Sequence, residues 1–271
     1  MMRFRGRVAQ AIPLIILLLL WQWAASVNPE ASFFFASPIA IVNSASSMIG
    51  TDLQIAKALL AGSDAAWNGG QGLLWNMAVT GGEAVAGFLI GNLLGAIIGI
   101  GLWIDRRAAF IARPYLIALG AIPIFAIAPL TILWFGIGIM AKVWLAALAT
   151  FFIAAAQAFK AMEEIDPLYL RRLSLMRARQ SVIIRRLLLP ASFVWVVAAL
   201  RLTIGASLLG AFLGELIAAD HGLGRLIVRA SGLYDTAQVM VGVLAIIAIA
   251  MTLDALVSRI EKRLLKWRCP E

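Results

Sequence analysis

Six arginines crowd into the stretch DPLYLRRLSLMRARQSVIIRRLLLP, Asp166 to Pro190, which lies between long apolar segments. Arg171, Arg172, Arg177, Arg179, Arg185 and Arg186 offer recognition rather than bond chemistry, because a guanidinium group binds carboxylates and phosphates. Arginine costs several kcal/mol at a bilayer centre, so a run this dense excludes a membrane span and makes a soluble, intracellular docking element. Asp166 followed by Pro167 predicts a helix start: the carboxylate accepts free backbone N–H groups, and proline has no donor to lose. The remaining charged residues of interest, Glu83, Arg201 and Glu215, stand in or beside apolar runs, where an uncompensated charge is expensive. Fourteen residues separate Arg201 from Glu215, roughly 21 Å along one helix, so each needs its own partner. Arg201 reads as an anchor, and Glu215, near the outer end, as part of a gate.

Catalysis and metal binding find little material. Cys269 is the only cysteine and His221 the only histidine, so no internal disulfide or Cys/His metal cluster forms. No catalytic residue and no metal ligand is assigned. There is no Gly-Lys dipeptide, hence no phosphate-cradling G-x-x-x-x-G-K-[ST] loop, and the chain cannot hydrolyse ATP alone.

The elements that must position these residues are membrane helices. A mean hydropathy of +0.93 with 14% charged residues is far from globular composition. The net charge of +9 sits in short islands between apolar runs, not on a continuous basic face, so no nucleic-acid partner is expected. Six runs approach the roughly 20 residues that cross a bilayer: Val8 to Val27, Val85 to Ile104, Phe110 to Gly136, Val143 to Phe159, Ala191 to Ile217 and Ala237 to Val257. The expectation is an all-α, polytopic bundle over residues 1–271 as a single transmembrane domain, with 160–190 as its cytoplasmic segment. The first run is longer than a signal-peptide core and reads as a retained anchor. Seventeen Lys and Arg fall on one side of this arrangement and four (Lys57, Lys142, Arg225 and Arg229) on the other, which places both termini in the cytoplasm. The outer segment from Asn28 to about Gly82 carries SPIAIVNSASSMI, a candidate amphipathic helix. Gly222, Leu223 and Gly224 read as a flexible re-entry motif, with His221 exposed.

Within the second run Gly87, Gly91, Gly95 and Gly99 recur every fourth residue, making one helix face on which another backbone can approach closely. Helix packing is the simplest reading; a sliding surface used during transport is the other. The third run carries Pro114, Pro123 and Pro129, each of which removes a backbone donor and tends to kink a helix. Freed carbonyls at membrane depth face protein or water, so this run either lines a cavity or is kinked for packing.

Four segments together resemble the permease subunits of bacterial ATP-binding-cassette importers, in the nitrate, sulfonate and taurine branch. They are PLTILWFGIG at Pro129 to Gly138, the Asp166 to Ala191 stretch, LRLTIG at Leu200 to Gly205 and GELIAADHGLG at Gly214 to Gly224. The resemblance, from about Trp21 to Trp267, implies a type I importer permease in the bacterial inner membrane, working as a dimer with a second copy or a paralogue. It further implies two ATPase subunits that bind ATP and Mg, an external substrate-binding protein, and no cofactor in this chain. In such permeases the segment before Leu189 and Pro190 enters a groove of the ATPase and couples it to the spans. Arg171-Arg172-Leu173 here stand where the family has Glu-Ala-Ala, and Arg177 where it has Gly. Arg177 therefore either continues a helix or adopts a left-handed conformation at roughly 1–2 kcal/mol. The reversed charge at Arg171 implies a partner with a compensating acidic residue, or a nonstandard second permease. The family's arginine before Gly87 is replaced by Glu83, and Gly120 stands near a second missing arginine, ahead of Pro123. Glu83 thus either lines a pathway for a neutral, zwitterionic or cationic solute or sits in interfacial water. An ion-coupled carrier acting without an ATPase is the alternative, and it predicts internal repeats, of which none is visible.

Overall fold

A backbone inside lipid has no water to bond, so each long apolar run must satisfy its N–H and C=O groups internally as a helix. The computed structural model describes residues 2–27, 36–60, 72–217 and 220–264, and helices dominate them, with no strand among the described residues. In chain order these are α1 (Met2–Val27), α2 (Pro38–Leu60), α3 (Leu73–Ile104), α4 (Arg106–Gly120), α5 (Ile124–Phe135) and α6 (Ile139–Glu163). There follow α7 (Pro167–Leu175), the single turn α8 (Gln180–Ile183), a π-helical turn (Ile184–Leu188), α9 (Leu189–Ile217), α10 (Leu223–Gly232) and α11 (Thr236–Leu264). Cys269 and parts of the outer segment from Asn28 to Gly82 lie outside the described residues.

Four helices are long and apolar enough to cross a membrane: α3, α6, the Val196–Ile217 part of α9, and α11. A bent pair, α4 with α5, makes a fifth if it counts as one span, while α1 contributes the shorter apolar stretch Ile15–Val27. Among the described residues the count is therefore four or five, with the shorter stretch of α1 beside them, where about six were read from the sequence. The expected third run is not a kinked helix but two helices bent by 93°. Ala121 N–H turns back to Ile117 O and Ile122 N–H to Leu119 O, closing α4 in tight turns. Pro123 (φ −62°, ψ 120°) has no N–H to continue the ladder and caps α5. Pro114 and Pro129 sit inside α4 and α5, so the break falls at one proline of the three.

The chain divides into two compact units. The first joins Met1–Val79 to His221–Ile247. In it the Gln22 side chain accepts the Ile39 N–H at 3.3 Å, tying α1 to α2, and Asp52 of α2 accepts the Leu74 N–H at 2.7 Å, capping the start of α3. Asn76 donates to Gly72 O at 2.7 Å and accepts the Gly222 N–H at 2.8 Å. Gly222, at φ 118°, supplies a backbone conformation that side chains disfavour and leads straight into α10. Leu223 is fully buried and Gly224 buried, so this stretch is an anchored helix start and not a flexible motif; His221 is exposed.

The second unit joins Thr80–Asp220 to Ala248–Glu271. Its hub is α6, whose buried face is made largely of alanines together with Thr150, Phe159 and Met162. The glycine stripe of α3 lies on that face. A Cβ at Gly87 would strike Ala146, one at Gly91 would strike Thr150, one at Gly95 would meet Ala154 at 2.7 Å, and one at Gly99 would meet Ala158 at 2.9 Å. The Thr150 hydroxyl donates across the seam to Gly87 O at 3.3 Å. Gly210 of α9 likewise would place a Cβ 2.6 Å from the Ala146 Cα. Small residues thus let α3 and α9 close on one central helix, with backbone contact replacing the hydrophobic drive that lipid removes.

Candidate functional site

The spans carry a buried charge cluster, entirely within the second unit. Glu83 reaches the core from α3 because it is one turn before the glycine stripe and shares its face. Lys142 enters near the start of α6 and forms an ion pair with Glu83. Glu215, in the last turn of α9, accepts a hydrogen bond from the Thr80 hydroxyl at 2.7 Å and lies within interaction range of the Glu83 carboxyl. All three are almost fully enclosed by protein, at 3%, 4% and 2% exposure for Glu83, Lys142 and Glu215. Glu83 therefore does not sit in interfacial water. Gly214 makes room for the lysine stem: a Cβ there would lie 2.9 Å from the Lys142 Cγ. One ammonium thus pairs with Glu83, beside a second enclosed carboxylate, where three helices meet.

Lys142 is the residue that sequence reading missed, having been placed with the outer-loop charges. The signal was present: Glu83 has no cation on its own helix, Arg201 lies too far along α9 to reach Glu215, and Lys142 directly precedes the apolar run beginning at Val143. Deeper in the same seam, Thr203 donates to Asn92 Oδ1 at 3.0 Å, and Ser207 donates to Ala84 O. Thr203, Ser207 and Glu215 of α9 thereby find partners on α3, and Ser192 donates within α9 to Leu189 O, as a dry interior requires.

Arg201 is elsewhere. It donates to Glu261 Oε2 at 2.8 Å and to Ser258 Oγ at 3.0 Å, with Asp254 3.8 Å away, all three partners on α11. The arginine is about half exposed and near the end of α11 that bears Arg259, Lys262 and Arg263. Arg201 and Glu215 thus have separate partners, as their spacing along α9 requires. Gly120 and Pro123 stand at the α4–α5 break and are exposed, while Pro129 lies inside α5; the nearest neighbour to a Cβ on Gly120 is Phe152 at 3.9 Å.

The basic segment is a helix, a turn and a wide turn. Asp166 Oδ1 accepts the Leu168 N–H at 2.8 Å and so caps α7, with Pro167 as its first residue. At the far end Arg177 is left-handed, with φ 51°, and the Ala178 N–H returns to Leu173 O at 3.0 Å. Of the two conformations open to a non-glycine here, the chain takes the strained one. Leu175 and Met176, at the apex, are 83% and 78% exposed. Arg171, Arg172, Arg177, Arg179, Arg185 and Arg186 are all exposed. The π-helical turn then runs without interruption into α9, the Leu189 N–H bonding Ile184 O five residues back, with Pro190 in the first turn of α9.

This arrangement provides membrane-crossing helices, a locked interior and an exposed basic element continuous with one span. Among the described residues no group of His, Cys, Asp and Glu is placed to hold a metal. A solved inward-facing structure of the MetNI methionine ABC transporter superposes with a TM-score of 0.62 at 19% identity, covering 70% of this chain and 95% of the other, which establishes a shared fold. The riboflavin transport system permease protein RibX of Chloroflexus aurantiacus is 30% identical over 94% of this chain and 88% of its own length. SsuC of Bacillus subtilis (strain 168), which bears the name of an aliphatic sulfonates transport permease, is 31% identical over 69% of this chain and 67% of its own length. The family model described as the inner membrane component of binding-protein-dependent transport systems matches residues 91–266, and the chain belongs to that family.

Proposed function

We propose that this chain is the solute-conducting permease subunit of an ATP-driven importer, coupled through residues 166–190 to a separate ATPase. Permeases of this family are transport components, not enzymes, so ATP and Mg would be held by the partner. The observation that carries the reading is the exposed arginine-bearing α7, joined through α8 and the π-helical turn to the spanning α9. A displacement of α7 has a short, helical route into a span. In this reading two copies, or this chain and a paralogue, enclose the solute pathway, and an external binding protein supplies solute to their outer face. ATPase closure moves the 166–190 elements and biases the bundle between outward and inward states. The distribution of Lys and Arg supports a cytoplasmic position for both termini.

The relatives' names refer to aliphatic sulfonates, riboflavin and taurine, which supports a small solute without fixing its charge. Glu83, neutralised by Lys142, enters as part of an outer helix lock. Gly120, Pro123 and Pro129 offer the break as a pathway or gate element, and Arg201 fastens α9 to α11 toward the inner side.

Affinity purification from native membranes in mild detergent tests the reading, followed by reconstitution into vesicles. The expected result is a co-purifying ATPase and uptake that requires ATP. A sole component whose uptake follows a proton or sodium gradient would replace it with an ion-coupled carrier.

A further inference from the structure

The exposed face of α7 has a pattern more specific than its charge. At about 100° per residue, Leu168 and Leu175 form one stripe, and Tyr169 forms a second beside it with Met176, which lies one residue past α7 and still bonds Arg172 O through its N–H at 3.2 Å. Arg172 falls between the two stripes, and Arg171 lies at the outer edge of the first. All six side chains are exposed, the apex pair Leu175 and Met176 most of all. The members of each stripe are seven residues apart, roughly 10 Å along the axis.

We infer that the surface receiving α7 on the ATPase is an acidic groove: a carboxylate facing Arg172, set between two apolar sockets that take Leu168 with Leu175 and Tyr169 with Met176. This rests on the reading of residues 166–190 as the ATPase-coupling element and names the chemistry of its partner. The argument is one of desolvation. Seating the two stripes removes water from the guanidinium group between them, and a charge so enclosed needs an opposite charge with hydrogen bonds. Buried aromatic and arginine side chains at the centre of a contact are also where protein interfaces concentrate their binding energy. A helix lying on a membrane is built the other way, with its basic residues on the face opposite the apolar one. Here lipid insertion of the stripes would carry Arg172 down with them. The left-handed turn at Arg177 holds Leu175 and Met176 at the end of the helix.

The test is the affinity of the ATPase subunit that co-purifies with this permease for the full-length permease in nanodiscs, with and without anionic lipid. Arg172→Glu is expected to weaken binding by at least about 30-fold, and replacing one acidic groove residue of the ATPase by Arg should restore it. Leu175→Ser with Met176→Ser should weaken binding without changing its salt dependence, and lipid charge should make little difference. Because these positions are exposed, an unchanged unfolding midpoint will show that the variants fold. Wild-type binding that survives Arg172→Glu, a loss that no acidic-to-Arg change on the ATPase rescues, or binding that follows anionic lipid would overturn the inference alone. Failure of the wild-type permease to bind any ATPase would bring down the importer reading as well.

Discussion

Replacing Lys142 by Met removes the ammonium that pairs with Glu83, beside a second enclosed carboxylate, Glu215, while keeping an unbranched stem to fill the space beside Gly214. Breaking a buried pair by deleting one partner costs about 3–5 kcal/mol, because the remaining charge stays out of water. For a domain of this size that lowers a thermal midpoint by roughly 6–20 °C. Removing both charges in Lys142→Met with Glu83→Gln should recover most of the loss, since a neutral pair of similar shape has no desolvation debt. Glu215 keeps its hydrogen bond from Thr80 in both variants. The assay is thermal unfolding of the purified permease in one detergent across the full double-mutant cycle, with an expected coupling of at least about 2 kcal/mol. A single variant as stable as wild type, or a double variant as unstable as the two losses summed, would refute the claim that Lys142 neutralises the cluster.

The seam between α3 and α6 predicts that Gly91→Leu abolishes the folded yield, because even a Cβ there meets Thr150; Gly101→Ala, with open space around it, should be neutral or stabilising by up to about 1 kcal/mol. Fluorescence-detected size exclusion separates the two. Arg177→Gly should relieve the left-handed turn by about 1 kcal/mol and slow chymotrypsin cleavage at the exposed Leu175–Met176 apex roughly fivefold; faster cleavage would count against the strain. Arg201→Met removes a half-exposed, screened network and should cost no more than about 1 kcal/mol in the same unfolding assay, well below Lys142→Met. Asp52→Ala deletes the cap on Leu74 and should destabilise by about 1 kcal/mol.

Hydropathy made the helical class legible, because the bilayer imposes helix length and apolar character on sequence directly. The Asp166–Pro167 start of α7 was legible for a local reason: a cap and a donor-free residue act within one turn. The face of α3 that meets a neighbour was also written in its glycine spacing, although which helix it meets was not. What stayed hidden depends on contacts far apart in the chain. Glu83 is partnered from α6 and Arg201 from α11, pairings that no periodicity encodes. The 93° bend was half visible: three prolines promised distortion, but only Pro123 breaks the ladder, because it follows a stretch that closes in tight turns. The start of α10 at Gly222 and Leu223 was misread as flexible because two glycines flank a leucine whose burial is set by tertiary packing.

The π-helical turn at Ile184–Leu188 makes the join between the basic element and α9 an angular setting. An α-helix advances about 100° per residue, and a turn closed by i to i+5 bonds holds one residue more than an α-helical turn. Adding or removing one residue in the α-helical first turns of α9 would swing α7 around the axis of α9 by about 100°, whereas removing one from the wide turn lets it close as an ordinary α-turn with the phase nearly kept. Connections between helices usually tolerate changes of length as slack. Here length is azimuth in the α-helical residues on the span side, so an insertion or deletion there should be far less forgiven than the loss of the wide turn's one extra residue.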